Sequence, residues 1–115
     1  MPLEVDIKYI VPDIAVVTLT GSLTLGTSLK IADTQIQAPI LNGFSKLVLD
    51  MTAVSYVDSA GLGAIIHAYG LTHERKGALR LCGVQERVAA MLKMTRTDLF
   101  LSIDADAAAS LAAIA

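Results

Sequence analysis

Lys46-Leu47-Val48-Leu49-Asp50 is a short run that is apolar on both sides of the chain. After a break it is followed by Leu62, Ile65, Ile66 and Tyr69 at the i, i+3, i+4 and i+7 positions of a helix. A strand buried on both faces and followed by an amphipathic helix is the repeating unit of a parallel sheet covered by helices. Asp50 is expected to end the strand, Met51 to Asp58 to form a loop, and Gly77 to stop the helix. Gly61, Ala64 and Ala68 form a second row on the helix, where small side chains leave room for another backbone to come close.

Working outward from that unit, Leu3, Val5, Ile7 and Tyr9 alternate with Glu4, Asp6 and Lys8, the period of a half-buried edge strand. Pro12-Asp13 breaks the pattern and Ala15 to Thr20 resumes it as far as Gly21, which predicts a hairpin. Gly26 to Leu41 reads as a helix with Leu29, Ile36 and Ile40 on one face and Lys30, Asp33 and Gln37 off it, capped by Thr24 or Thr27. Downstream, Leu79 to Cys82 is a strand. Val84 to Met94 is a helix with Val84, Val88, Met91 and Leu92 inward and Glu86, Arg87 and Lys93 in water. Leu99 to Ile103 suggests a short last strand, and Asp104 a cap for a final helix from Ala105 to Ile114 that presents Leu111 and Ile114. The expected class is α/β: one domain over residues 1–115, with a mixed sheet of four to five strands, right-handed crossovers and about four helices. Sites in such sheets lie where strands end and helices begin, which directs attention to Asp58-Ser59-Ala60-Gly61.

Composition removes several classes of function. At 115 residues there is one core and no room for a separate catalytic domain. Although 54% of the chain is hydrophobic and its mean hydropathy is +0.61, the longest apolar stretch, Ala60 to Leu71, is interrupted by Gly61, Gly63, His67 and Gly70. It falls short of the ~20 residues a bilayer crossing needs and reads as a buried helix, so no membrane insertion is expected. Met1-Pro2-Leu3-Glu4-Val5-Asp6 does not resemble a secretory leader, and a cytoplasmic location is expected. Cys82, the only cysteine, reads as a small buried hydrophobe. The net charge is -2, the basic residues are scattered from Lys8 to Arg96, and there is no Trp, so direct nucleic-acid binding is not expected.

Ser59 precedes a helix, where a serine oxygen commonly accepts a hydrogen bond from the first turn; a plain cap therefore competes with a functional role. Leu62 at the third helical position gives no capping box. A phosphoryl group at Ser59 would meet the positive end of the helix dipole, harmless to the fold and harmful to a partner lying flush over Gly61 and Ala64. A serine hydrolase would need Gly-x-Ser-x-Gly, but Val57 replaces the first glycine, and His67 and His73 lie on or just beyond the helix that Ser59 opens. Gly61-Leu62-Gly63 lacks the third glycine of a dinucleotide fingerprint, and there is no P-loop. His67 and His73 are six positions apart, off a shared helical face, so no metal site is expected. Asp50 and Asp58 form a possible carboxylate pair, each with an ordinary alternative as a turn or cap residue.

The segment Leu47-Val48-Leu49-Asp50-Met51-Thr52-Ala53-Val54-Ser55-Tyr56-Val57-Asp58-Ser59-Ala60-Gly61-Leu62-Gly63 resembles the signature of STAS domains, in particular the bacterial anti-sigma-factor antagonists. The resemblance extends over essentially the whole chain. It implies that Ser59 is phosphorylated by an anti-sigma factor with serine kinase activity, that the unphosphorylated chain binds this kinase and frees a sigma factor, and that a phosphatase restores it. The contact residues implied are Thr24, Asp58, Ser59, Ala60, Gly61, Gly63 and Ala64, with no catalysis and no cofactor of the chain's own. Gly21-Ser22-Leu23-Thr24 departs from the family's common Gly-x-Leu-Asp, so an acidic contact is missing at that rim. STAS domains also serve as non-switching subunits of stress-signalling scaffolds and of lipid-transport ABC complexes, in which Ser59 would be only a cap.

Overall fold

The computed structural model describes residues 3–115; Met1 and Pro2, part of the start read above as lacking a leader, lie outside the described residues. The strands are β1 (Glu4–Ile10), β2 (Ile14–Leu23), β3 (Lys46–Val57), β4 (Ala78–Cys82) and β5 (Ser102–Asp104). The helices are α1 (Thr27–Leu41), α2 (Ser59–Glu74), α3 (Glu86–Met94) and α4 (Ala107–Ile114), with a 3-10 turn at Thr97–Leu99. The five strands form one sheet in chain order. β1 pairs antiparallel with β2, and every later pair is parallel. The expected mixed α/β sheet and opening hairpin are therefore present, with β1 on the edge.

Alternation along the strands sorts their side chains into two cores. Ala15, Val17, Leu19, Leu47, Leu49, Leu79 and Leu81 point to one face. There they meet Ile36 and Ile40 of α1, Leu62 and Ile65 of α2, and Val88 and Leu92 of α3. Ile14, Val16, Val48 and Cys82 point to the other face and are covered by Ile114 and Leu111 of α4. Strands that advance in one direction with crossovers of one hand place every crossover helix on the same side, which leaves the opposite face for the terminal helix.

Several boundaries differ from the sequence expectations. β3 does not end at Asp50 but continues through the presumed loop to Val57, and β2 runs past Gly21 to Leu23. Two register shifts explain this: Thr18 pairs with Asp50 but Thr20 with Ala53, and Gly21 pairs with Val54 but Ser22 with Tyr56. Each shift gives β3 one extra residue, so Met51, Val54 and Val57 are buried at intervals of three and the period of two disappears. Asp50 accepts hydrogen bonds from the Thr52 N–H and hydroxyl inside the first irregularity. It is separated from Asp58 by the rest of β3, and among the described residues the two carboxylates have no hydrogen-bond partner in common.

Neither Thr24 nor Thr27 caps α1; Gly26 holds the cap position without a side-chain bond. α3 begins at Glu86 because Gly83 turns with a positive φ and Gln85 is extended, its Nε2 donating to the Thr52 carbonyl. Val84 packs against the core from this turn. Leu99 falls in the 3-10 turn and is exposed, so the last strand begins only at Ser102. Asp104 belongs to that strand and accepts from Arg80 Nε (2.7 Å), Arg80 Nη2 (3.0 Å) and the Ser110 hydroxyl (2.7 Å). With Asp104 engaged there, Asp106 caps α4 through the Ala109 N–H. Among the described residues no helix is long and apolar enough to cross a membrane.

Candidate functional site

The register shifts carry the β2–β3 pair beyond the rest of the sheet and deliver the chain directly into α2. The Asp58 N–H donates to the Leu23 carbonyl at 3.1 Å, so the ladder continues one residue past Val57 before the helix begins. Asp58 retains extended geometry (φ -94°, ψ -176°) and is the helix cap. Its Oδ1 accepts from the Gly61 N–H at 2.8 Å and its Oδ2 from the Leu25 N–H at 2.9 Å. The Leu25 N–H, and after it the Gly61 N–H, hold the Asp58 carboxyl below the usual carboxylate range. One side chain thus caps α2 and fastens the β2–α1 loop to it.

Of the two readings weighed for Ser59, the plain cap is not the one present, because Asp58 holds that position. Ser59 is the first residue inside α2 and is exposed, and no side-chain hydrogen bond of its hydroxyl occurs among the described residues. Thr24, half-buried, lies in the loop that Asp58 fastens, beside Leu25, which is 77% exposed.

The small-residue row has a different neighbour from the one expected. A Cβ on Gly61 would lie 2.0 Å from the Leu23 carbonyl oxygen, so the close approach that Gly61 permits is to the chain's own β2. Ala68 is also buried, and Ala64 is 8% exposed. Gly63 faces outward, with nothing within 4 Å of where a Cβ would stand. Ile66, read as part of the inward stripe, is 38% exposed, because the helix turns its Leu62–Ile65 side to the sheet. Ala60, Gly63 and Ala64 line one wall of a groove of about 180 Å³ whose other wall is Leu29, Lys30 and Asp33 of α1. His67 closes the far end, its Nδ1 3.3 Å from Gln37 Nε2 and 3.6 Å from Asp33 Oδ1.

Five of the seven expected contact residues, Thr24, Asp58, Ser59, Ala60 and Gly63, therefore cluster at the mouth of α2 or on its outer face. Gly61 and Ala64 lie beneath or beside them. Sequence reasoning missed Leu25 and Lys30. Leu25 looks like any core leucine, and Lys30 looks like any solvated helix residue; only the hydrogen bond to Asp58 and the packing of α1 against α2 bring Leu25 to the start of α2 and Lys30 to the groove that Ala60 lines.

Among known proteins, an anti-sigma-B factor antagonist of Listeria monocytogenes is 27% identical over 95 residues, 83% of this chain and 82% of the relative. An anti-sigma factor antagonist from Mycobacterium paratuberculosis superposes with a TM-score of 0.80 at 17% identity, over 97% of this chain and 93% of that one. The Bacillus protein SpoIIAA superposes in its unphosphorylated form with a TM-score of 0.78 at 14% identity, over 92% of each chain. In its phosphorylated form the TM-score is 0.73 at 13% identity. At these identities the structural likenesses establish the fold. The STAS domain pattern itself matches residues 7–110, from within β1 to within α4, and on that match the chain belongs to the STAS domain family.

Proposed function

We propose that this chain is an anti-sigma-factor antagonist switched by phosphorylation of Ser59. Unphosphorylated, it binds an anti-sigma factor with serine kinase activity in the cytoplasm and thereby releases a sigma factor. In the kinase reaction the Ser59 Oγ–P bond forms as the bond from ATP's γ-phosphorus to its bridging oxygen breaks. ADP leaves, and the hydroxyl proton passes to a base of the kinase. A phosphatase restores the hydroxyl. The chain catalyses nothing and carries no cofactor.

The observation that carries this reading is the division of labour between neighbours: Asp58 supplies the cap, so the Ser59 hydroxyl stands exposed and unengaged at the first turn of α2. A phosphoryl group there adds ~1.5 to 2 negative charges where the helix dipole favours them, and no internal hydrogen bond is lost. A protein surface seated on Thr24, Ser59, Ala60 and Gly63 would instead have to desolvate the new dianion, which disrupts the complex. Gly61 and Asp58 support the reading as positioning residues, one through the close contact with Leu23 and the other through its two backbone hydrogen bonds. The Listeria relative's name supports the antagonist part of this reading.

The test is incubation with Mg-ATP and each kinase-type anti-sigma factor of the same organism, followed by intact-mass measurement. Addition of one phosphoryl group, absent in Ser59→Ala, is expected, as is loss of the complex in Ser59→Asp. If Ser59 stays unmodified with every such kinase and Ser59→Asp binds as well as Ser59→Ala, the switch is refuted, and the chain is better described as a non-switching STAS subunit.

A further inference from the structure

β1 has an unused edge. It pairs with β2 residue for residue from Glu4 to Ile10 without a register shift, and among the described residues no strand lies on its other side. Its outward backbone N–H and C=O groups are a template for one more strand. The opposite edge of the sheet, β5, is only three residues long. Glu4, Asp6 and Lys8 are exposed on one face of β1 and take part in no ion pair among the described residues. On the other face Val5 and Ile7 are only partly buried against the core, and Tyr9, its ring 4.7 Å from that of Phe44, is still 49% exposed. Val11, just past the strand, is 79% exposed. An open groove of about 520 Å³ beside Leu3 and Val5 reaches Ile31 of α1, which is also exposed.

We propose that β1 is a dimerisation edge, which pairs antiparallel with β1 of a second copy of this chain about a two-fold axis at Ile7. In that register Asp6 stands opposite the partner's Lys8, and by symmetry Lys8 opposite the partner's Asp6. On the apolar face Val5 meets the partner's Tyr9, Ile7 the partner's Ile7, and Leu3 the partner's Val11. Aromatic with β-branched and acid with base are stabilising cross-strand pairs. The partner's Tyr9, opposite Val5, comes to the groove that Leu3, Val5 and Ile31 line, so the exposed aromatic of each copy has a place on the other.

The charges select both the register and the occupant. An axis at Asp6 or at Lys8 would set that charge against its own copy, and an axis at Val5 would set Glu4 against Asp6. At Ile7 no like charges meet, since Glu4 faces the partner's Ile10. A lysine on an edge ordinarily deters strand pairing, but the order Asp6, Ile7, Lys8 makes this edge complementary to itself. Such an interface closes after two copies and leaves no free β1 edge. It uses none of the residues around Ser59 and is independent of the switch.

The test is sedimentation velocity of the full chain from low to high micromolar concentration. The mass should pass from the 12.1 kDa of one chain to twice that value. Asp6→Lys alone, or Lys8→Asp alone, sets like charges opposite each other at both symmetric pairs and should raise the dimer dissociation constant about tenfold or more. The double exchange, Asp6→Lys with Lys8→Asp, should restore it to within about threefold of wild type. Both side chains are exposed, so the unfolding midpoints of the separated monomers should stay near that of wild type. A chain that is monomeric at every concentration overturns the proposal. A dimer indifferent to the single reversals places the interface elsewhere and overturns it as well. Single reversals that weaken the dimer without rescue by the double exchange overturn the Ile7 register.

Discussion

The Asp58 carboxylate accepts a 2.9 Å hydrogen bond from the Leu25 N–H, 33 residues away in sequence, while its other oxygen holds the first turn of α2. The segment bearing Thr24 and the segment bearing Ser59 are thereby fixed to each other before any partner arrives. A preformed surface binds without the cost of ordering its loops. Position 58 is therefore a structural determinant of the proposed site.

Replacing Asp58 with Ala removes both hydrogen bonds and leaves Ser59 in place. The unfolding midpoint should fall by several degrees, and phosphorylation of Ser59 should slow because the β2–α1 loop is no longer held. Ser59→Ala, by contrast, should change stability by less than about 0.5 kcal/mol, because Ser59 is not the cap. Denaturant titration of the two variants separates these outcomes; equal losses would return the cap to Ser59.

Acid should weaken the fold through the same carboxylate. Hydrogen bonds from Leu25 and then Gly61 lower the Asp58 pKa in the folded state, and Arg80 and then Ser110 do the same for Asp104. A depressed carboxylate contributes stability that is present above its unfolded pKa of about 3.9 and is lost as pH falls through the folded value. Unfolding free energy measured from about pH 5 downward should decline less steeply in Asp58→Asn and Asp104→Asn than in wild type. Parallel curves would contradict the assignment.

The two outer glycines of the Gly61-Leu62-Gly63 run should respond oppositely to alanine. At Gly61 the new Cβ would stand 2.0 Å from the Leu23 carbonyl oxygen, and the resulting shift of α2 against β2 should cost about 2 kcal/mol or more. At Gly63 the Cβ meets nothing, and Gly63→Ala should stabilise by about 0.5 to 1 kcal/mol. Urea unfolding of the pair provides the comparison.

Cys82 should be inert in the folded protein. It is fully buried beneath α4, and burial, with the Asp50 charge adding to it, pushes its thiol up to about 11. At pH 8 to 9, where an exposed cysteine is substantially ionised, Ellman's reagent should react with Cys82 only after urea unfolds the chain. Rapid reaction of the native protein would show that the α4 side of the sheet opens.

The amino-acid sequence by itself determined the hairpin, the inner strand at Lys46–Asp50, the helix after Ser59 and the α/β class. Those features rest on periodicities and turn residues that act within a few positions of one another. It also carried the motif around Ser59. Only the tertiary structure decided that β3 continues to Val57, because the register shifts that bury Met51, Val54 and Val57 depend on pairing with β2 more than thirty residues earlier. Asp58 and Ser59 are both good capping residues, and the choice fell to Asp58 because the ladder holds it extended at the Leu23 carbonyl, with its other oxygen on Leu25. The small-residue row was legible but its neighbour was not, since whether Gly61 meets a partner or the chain's own strand depends on where Leu23 lies. For the same reason the exposure of Leu25 and the place of Lys30 on the α1–α2 groove escaped notice: nothing local distinguishes an exposed leucine from a core one, and only the Asp58–Leu25 hydrogen bond and the packing of α1 on α2 set these positions.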